Sequence, residues 1–257
     1  MTAARITPKR FGALLGVAGS VFFSGLMGLM LLAPARAEPV LHPFTAGYTL
    51  KREGINLGEA TYTLRPAEKG TYLYESTTQA SGILAWFIKD RIEEYSKWTY
   101  HGTQIRPLEY SSRRVGGKSD KRSTMRFDWE HNILIGDSNG RAWRLPLPPD
   151  VSDKLVYQLA IMRDLQTGKK PLQYTIADDG NLKDYKFEVL GEEALATELG
   201  RLHTIKIRRV NDKRNTTVWC APKLRYLPVR LDQTEKDGSE LSMQIRSVKD
   251  SPDSGAR

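Results

Sequence analysis

The stretch "FTAGYTLKREGIN", residues 44–56, decides the fold. Phe44, Ala46, Tyr48 and Leu50 recur at every second position, with Thr45, Thr49 and Lys51 between them. A period of two sends alternate side chains to opposite faces of an extended chain, so the run is a half-buried strand. "EGIN" at 53–56 then supplies the residues that reverse direction.

The same grammar repeats downstream. Turn signals recur as "EKG" at 68–70, "VGG" at 115–117, "DSNG" at 137–140, "DDGN" at 178–181 and "KDG" at 236–238. Asn139-Gly140 and Asp237-Gly238 are hairpin pairs, since both residue types tolerate positive φ. The expected class is mostly β: an antiparallel meander of roughly a dozen strands, curled into an open or half barrel. One stretch breaks the pattern. In "PPDVSDKLVYQLAIMRDLQTG", Val151, Leu155, Leu159 and Met162 fall at helical spacing, Asp150 or Ser152 is placed to cap, and Gly168 is placed to stop. The spacing predicts one main helix over 151–165.

The amino end reads as an export signal. Arg5, Lys9 and Arg10 precede an uncharged apolar run from Phe11 to Leu32, and "APARA" follows. Small side chains at Ala35 and Ala37 suit a signal peptidase, so cleavage is expected after Ala37, with an uncleaved membrane anchor as the alternative. The expected organisation is a signal peptide over 1–37, a single β-rich domain over 38–248 and a disordered tail over 249–257. The expected location is the periplasm, with no transmembrane segment after cleavage. Removing 1–37 takes four basic and no acidic residues from a net charge of +9, leaving +5. That excess favours an anionic envelope surface; an exported chain rarely meets nucleic acid, which is excluded as a partner.

"WCAPKLRYLPVRL" at 219–231 holds the single cysteine of the chain. One cysteine cannot make an intrachain disulfide in an oxidising compartment. Val218 and Cys220 share a strand face, with Trp219 opposite, so Cys220 reads as a packed small side chain. Pro228, lacking a donor, belongs at an edge or a non-bonded position.

Together, "FDW" at 127–129, "DKLVYQL" at 153–159, "GRLHTIKIRR" at 200–209, Trp219 and "YLPVRL" at 226–231 resemble the bacterial exported proteins grouped as domain of unknown function 3108. The resemblance covers roughly residues 44 to 248 and implies an exported envelope protein of largely β build, with no activity to carry over. The pattern departs at Lys154–Val156, where relatives carry a serine near the aspartate, so no catalytic role built on that serine transfers.

Chemistry-bearing motifs are sparse. His42, His101, His131 and His203 show no metal-ligand spacing, and no metal or cofactor is expected. His203 alternates with Ile205 and Ile207 and reads as partly buried. Ser119 in "GGKSDK" lacks the strand-to-helix setting of a nucleophile, so no catalytic residue is assigned. Asp153 reads as a helix-start carboxylate, stabilised by exposed N–H groups. The positive signals are an apolar run and a basic loop. Ile83, Leu84, Trp86, Phe87 and Ile88 offer more apolar surface than one strand face buries, and are expected to line a cavity for an apolar or lipid-like ligand. Arg113, Arg114, Lys118, Lys121 and Arg122 are expected to meet an anionic headgroup, with a solvated hairpin tip as the plain alternative. A second basic cluster, "KIRRVNDKR" at 206–214, is equally open. The function expected is binding, of such a ligand or as an envelope scaffold. The alternative is a hydrolase with an unrecognised carboxylate site.

Overall fold

Among the described residues, fifteen strands form one continuous sheet. The computed structural model describes residues 41–82, 85, 90–116, 120–211 and 213–250. The strands are β1 (Phe44–Arg52), β2 (Ile55–Pro66), β3 (Thr71–Ala80), β4 (Arg91–His101), β5 (Gln104–Val115), β6 (Lys121–Asp128), β7 (Ile133–Ser138), β8 (Arg141–Pro146), β9 (Val151–Asp153), β10 (Leu172–Asp178), β11 (Asn181–Thr197), β12 (Gly200–Arg209), β13 (Thr217–Ala221), β14 (Leu227–Thr234) and β15 (Glu240–Asp250). One α-helix among the described residues, α1 (Tyr157–Thr167), interrupts them. The spatial order runs from β8 back to β1, then from β15 back to β9. All neighbours pair antiparallel except β9 and β10, which are parallel and joined through α1.

The alternation in β1 works as read: Phe44, Ala46 and Tyr48 are buried. Tyr48 packs edge-on against Tyr62 at 5.5 Å, and Tyr72 of β3 stacks on Trp98 of β4 at 4.6 Å. Leu159, Ile161 and Met162 of α1 join this core. Arg163 and Gln166 tie the helix to the carbonyls of Thr103 and Arg225, both in turns at one end of the sheet. That end is called the helix end below.

No ladder joins the edge strands β8 and β9, so the curled sheet is not a closed barrel. Its two ends are instead bridged by side chains. Ser96 on β4 donates to Asp153 Oδ2 at 2.6 Å. Ser123 on β6 and Ser138 on β7 both donate to Asp179 Oδ1, at 2.5 and 3.1 Å.

The helix expectation needs correction at its start. Residues 151–153 form the strand β9, and α1 begins at Tyr157. Val151 faces the core in either conformation, which is why helical spacing extended over it. The end was read correctly: Gly168 adopts φ 70°, and its N–H bonds to the carbonyls of Asp164 and Leu165. At the other boundary, β15 reaches Asp250, two residues past the limit of 248. The proposed signal segment 1–37 and residues 251–257 lie outside the described residues.

Candidate functional site

In a meander, alternate turns fall at the same end. Opposite the helix end lie the turns β1–β2, β3–β4, β5–β6, β7–β8, β10–β11, β12–β13 and β14–β15. This mouth end holds the β3–β4 connection, the β5–β6 hairpin and the β12–β13 turn. The apolar run 83–88 belongs to the connection that leaves β3 at Ala80 and enters β4 at Arg91; Ile83, Leu84, Trp86, Phe87 and Ile88 themselves lie outside the described residues, as do Lys118 and Ser119. The basic hairpin β5–β6 is two strands away, and the 206–214 cluster crosses the β12–β13 turn.

At the mouth, Leu50, Leu57, Gly58, Thr78, Ala80, Asp90 and Ile92 line a cavity of about 180 Å³. Gly58 is required there by close approach. A Cβ on it would stand 2.3 Å from the Gln79 carbonyl oxygen on β3. Asp90 links this cavity to the basic hairpin: Arg114 Nε donates to both its oxygens, at 2.9 and 3.0 Å. The Arg114 hydrogen bonds hold the Asp90 carboxyl below the usual carboxylate range.

The register of β5–β6 sets like charges face to face. Arg113 stands opposite Arg122, and Arg114 opposite Lys121. Such pairs repel; Asp90 pairs with Arg114, and Glu93 on β4 stands opposite Arg113. Lys121 and Arg122 make no ion pair with a described residue. An anion bridging this hairpin would relieve the repulsion.

Below the mouth the interior turns polar. Glu94 on β4 accepts from Tyr110 at 2.6 Å and from Ser76 at 3.3 Å. Burial, then the nearby Glu94 charge, pushes the Tyr62 and Tyr110 phenols well above their ordinary range. Asp153 is fully buried, and burial pushes its carboxyl up to about 6 against the pull of its hydrogen bonds. Its Oδ1 accepts the N–H groups of Leu155 and Val156, each at 2.8 Å, so the carboxylate fixes the turn from β9 into α1. The expected helix-start role is therefore met one step earlier, in that turn. Lys154 pairs with Asp178 at 2.9 Å. None of Glu94, Tyr62, Tyr110 or Ser96 was singled out from the sequence, because glutamate and serine at inward positions of β4 interrupt rather than extend an apolar pattern.

Cys220 has no exposed surface, and burial pushes its thiol up to about 12. Trp219, on the other face, is also buried, with Lys206 and Arg230 over its ring at 4.9 and 5.1 Å and Glu193 accepting from Nε1. Pro228 pairs with Cys220 and lies outside the Arg230–Thr234 stretch of β14 that pairs with β15, and its carbonyl accepts from the Tyr48 hydroxyl at 2.9 Å. His203 is a correction: it is exposed and pairs with Glu192 at 3.0 Å. Its stretch of β12 runs past the start of the β13 pairing at Ile205, leaving one flank open. Among the described residues no group of three or more His, Cys, Asp or Glu could hold a metal ion, and no helix is long and apolar enough to cross a membrane.

A family model matches residues 44–246, covering the whole sheet but the last strand residues. The chain belongs to the family of proteins of unknown function DUF3108. No curated protein matches it in sequence. Among solved structures, it resembles a β-barrel-like protein of domain of unknown function DUF1849 from Brucella abortus, with a TM-score of 0.54 and 9% identity, over 83% of this chain and 100% of that one. A candidate lipoprotein from Parabacteroides distasonis (TM-score 0.33, 10% identity, 82% and 97% covered) and a candidate exported protein with a YmcC-like fold from Bacteroides fragilis (TM-score 0.31, 10% identity, 82% and 97% covered) are more distant. The first likeness concerns fold, and the other two are too weak to bear an argument. This DUF3108 member is thus mostly β with a barrel-like structural neighbour, in a family whose function is not established.

Proposed function

We propose that this DUF3108 protein is exported by residues 1–37, matures at Glu38 and serves the cell envelope by holding an anionic amphiphile at the mouth of its curled sheet. The observation that supports this reading is convergence. The cavity of about 180 Å³, the connection carrying 83–88 and the facing cations of the β5–β6 hairpin share one end, and Asp90 joins cavity to hairpin. In this reading Leu50, Leu57 and Ile92, with Ile83, Leu84, Trp86, Phe87 and Ile88, cover the apolar part. Arg113, Lys118, Lys121 and Arg122 meet the headgroup, with Arg114 held by Asp90. Burial of several large side chains against acyl carbon contributes roughly 1.5–3 kcal/mol apiece.

The hydrolase alternative has less behind it. Both oxygens of Asp153 face the protein's own donors, and Glu94 is held by Tyr110 and Ser76. Carboxylates spent this way position a fold.

Native mass spectrometry of protein recovered from the periplasm tests the binding reading. Wild type should carry acyl lipid, and Lys121→Glu with Arg122→Glu, which set opposite charges against Arg114 and Arg113, should lose it in a salt-dependent way without a loss of melting temperature. Trp86→Ala should lose lipid with folding nearly intact. A lipid-free wild type with a strongly destabilised Trp86→Ala variant sinks the proposal.

A further inference from the structure

We infer that the mouth rim is a docking face for an anionic bilayer surface, so that the cavity opens toward the leaflet. This deepens the proposed function and rests on the mouth being the ligand-bearing end. Three large apolar side chains project into solvent there from three separate hairpins: Ile55 is 67% exposed after the β1–β2 turn, Val210 51% in the β12–β13 turn and Leu182 39% beside the β10–β11 turn. Ile55 opens β2 and Leu182 is the second residue of β11, whereas the other exposed large apolar residues among those described, Tyr95, Ile135, Val189 and Leu190, lie farther along their strands, and none sits in a helix-end turn. Exposed apolar tips are therefore a property of one end.

Cations accompany the tips. Arg52, Arg114 and Lys183 are neutralised by Asp237, Asp90 and Asp178. Lys121, Arg122, Lys213 and Lys236 make no ion pair with a described residue and remain available. The distribution selects the partner. A protein interface gathers its apolar groups into a contiguous buried centre, whereas here they stand apart with charged residues between them. A fluid surface accepts scattered tips, taking apolar side chains into the boundary between headgroups and acyl chains while lysine and arginine meet phosphate.

Flotation with vesicles of phosphatidylcholine, alone or mixed with phosphatidylglycerol, tests the inference on protein recovered from cells. Wild type should float with the mixed vesicles and stay below with phosphatidylcholine alone. Ile55→Ser with Val210→Ser, and separately Lys213→Glu with Lys236→Glu, should each cut the bound fraction about fivefold or more at unchanged melting temperature, on the electrostatic and apolar logic of interfacial binding. Lys170→Glu with Lys223→Glu, at the helix end, should bind as wild type does. Three results overturn the inference: wild type fails to float, the helix-end variant loses as much as the mouth variants, or the apolar pair binds undiminished, which would leave charge attraction alone. The two proposals fail separately. Wild type that retains lipid but never floats overturns rim docking, and wild type that floats yet carries no lipid overturns the cavity reading.

Discussion

Ser96 on β4 and Asp153 on β9, 57 residues apart in the chain, share a hydrogen bond of 2.6 Å across the gap that no ladder closes. The carboxyl is fully buried, and its value of about 6 in the fold lies above its ordinary 3.8. The folded state therefore binds this proton more tightly than the unfolded chain. The associated stability is complete below the ordinary value and is lost as pH rises through about 6, a swing of roughly 3 kcal/mol. Asp153→Asn keeps an acceptor for Leu155 and Val156 but does not titrate. Urea midpoints from about pH 4 to 7 should show wild type losing stability relative to this variant as pH rises; parallel curves would contradict the assignment.

Arg122→Glu should separate stability from binding. It replaces a like pair with an opposite one against Arg113, stabilising the hairpin by about 0.2–1 kcal/mol. Lipid retention should fall at the same time. A gain in melting temperature together with undiminished retention would remove the hairpin from the headgroup site.

Cys220 should resist alkylation at mildly alkaline pH until the protein is denatured, because its thiol sits near 12 and lacks exposed surface. Cys220→Ser buries a hydroxyl in that place and should cost about 1–3 kcal/mol. Rapid labelling of native protein, read by intact mass, would show that β13 opens.

Gly58→Ala should be among the more damaging small changes. The new methyl would meet the Gln79 carbonyl oxygen at 2.3 Å, a backbone atom that cannot move without separating β2 from β3. Overpacking of this kind costs about 1–3 kcal/mol. Gly136→Ala instead meets the Trp143 ring at 2.2 Å, on the edge strand β8, where the side chain can swing aside. Thermal unfolding should rank Gly58→Ala as the worse.

Local rules made much of this legible. The alternation of β1, the Asn139-Gly140 hairpin with φ of 55° and 81°, the stop at Gly168 and the buried Cys220 all depend on a few adjacent residues. "VSD" at 151–153 did not read as strand because its partner is Thr175–Ala177, reached only after a helix. The seam was equally silent, since Ser123 and Asp179 are 56 residues apart. Convergence on the mouth depends on strand parity, and a reading of about a dozen strands that merged β9 into the helix could not carry that parity through to β12. The facing of Arg113 and Arg122 needed the register of the hairpin, which composition does not supply.

The strand order also sets a timetable. β1 pairs with β15, Phe44 against Asp250, so the first strand made finds one of its two neighbours in the last. During synthesis, β1 to β8 can zip as local hairpins while β1 keeps one bare flank of unpaired N–H and C=O groups. Contacts this distant in sequence form slowly, and an exposed strand edge invites pairing with other chains. The hazard is greatest in the interval before β15 arrives, and it falls on the middle of the finished sheet. A chaperone that protects this protein would therefore be expected to cover β1.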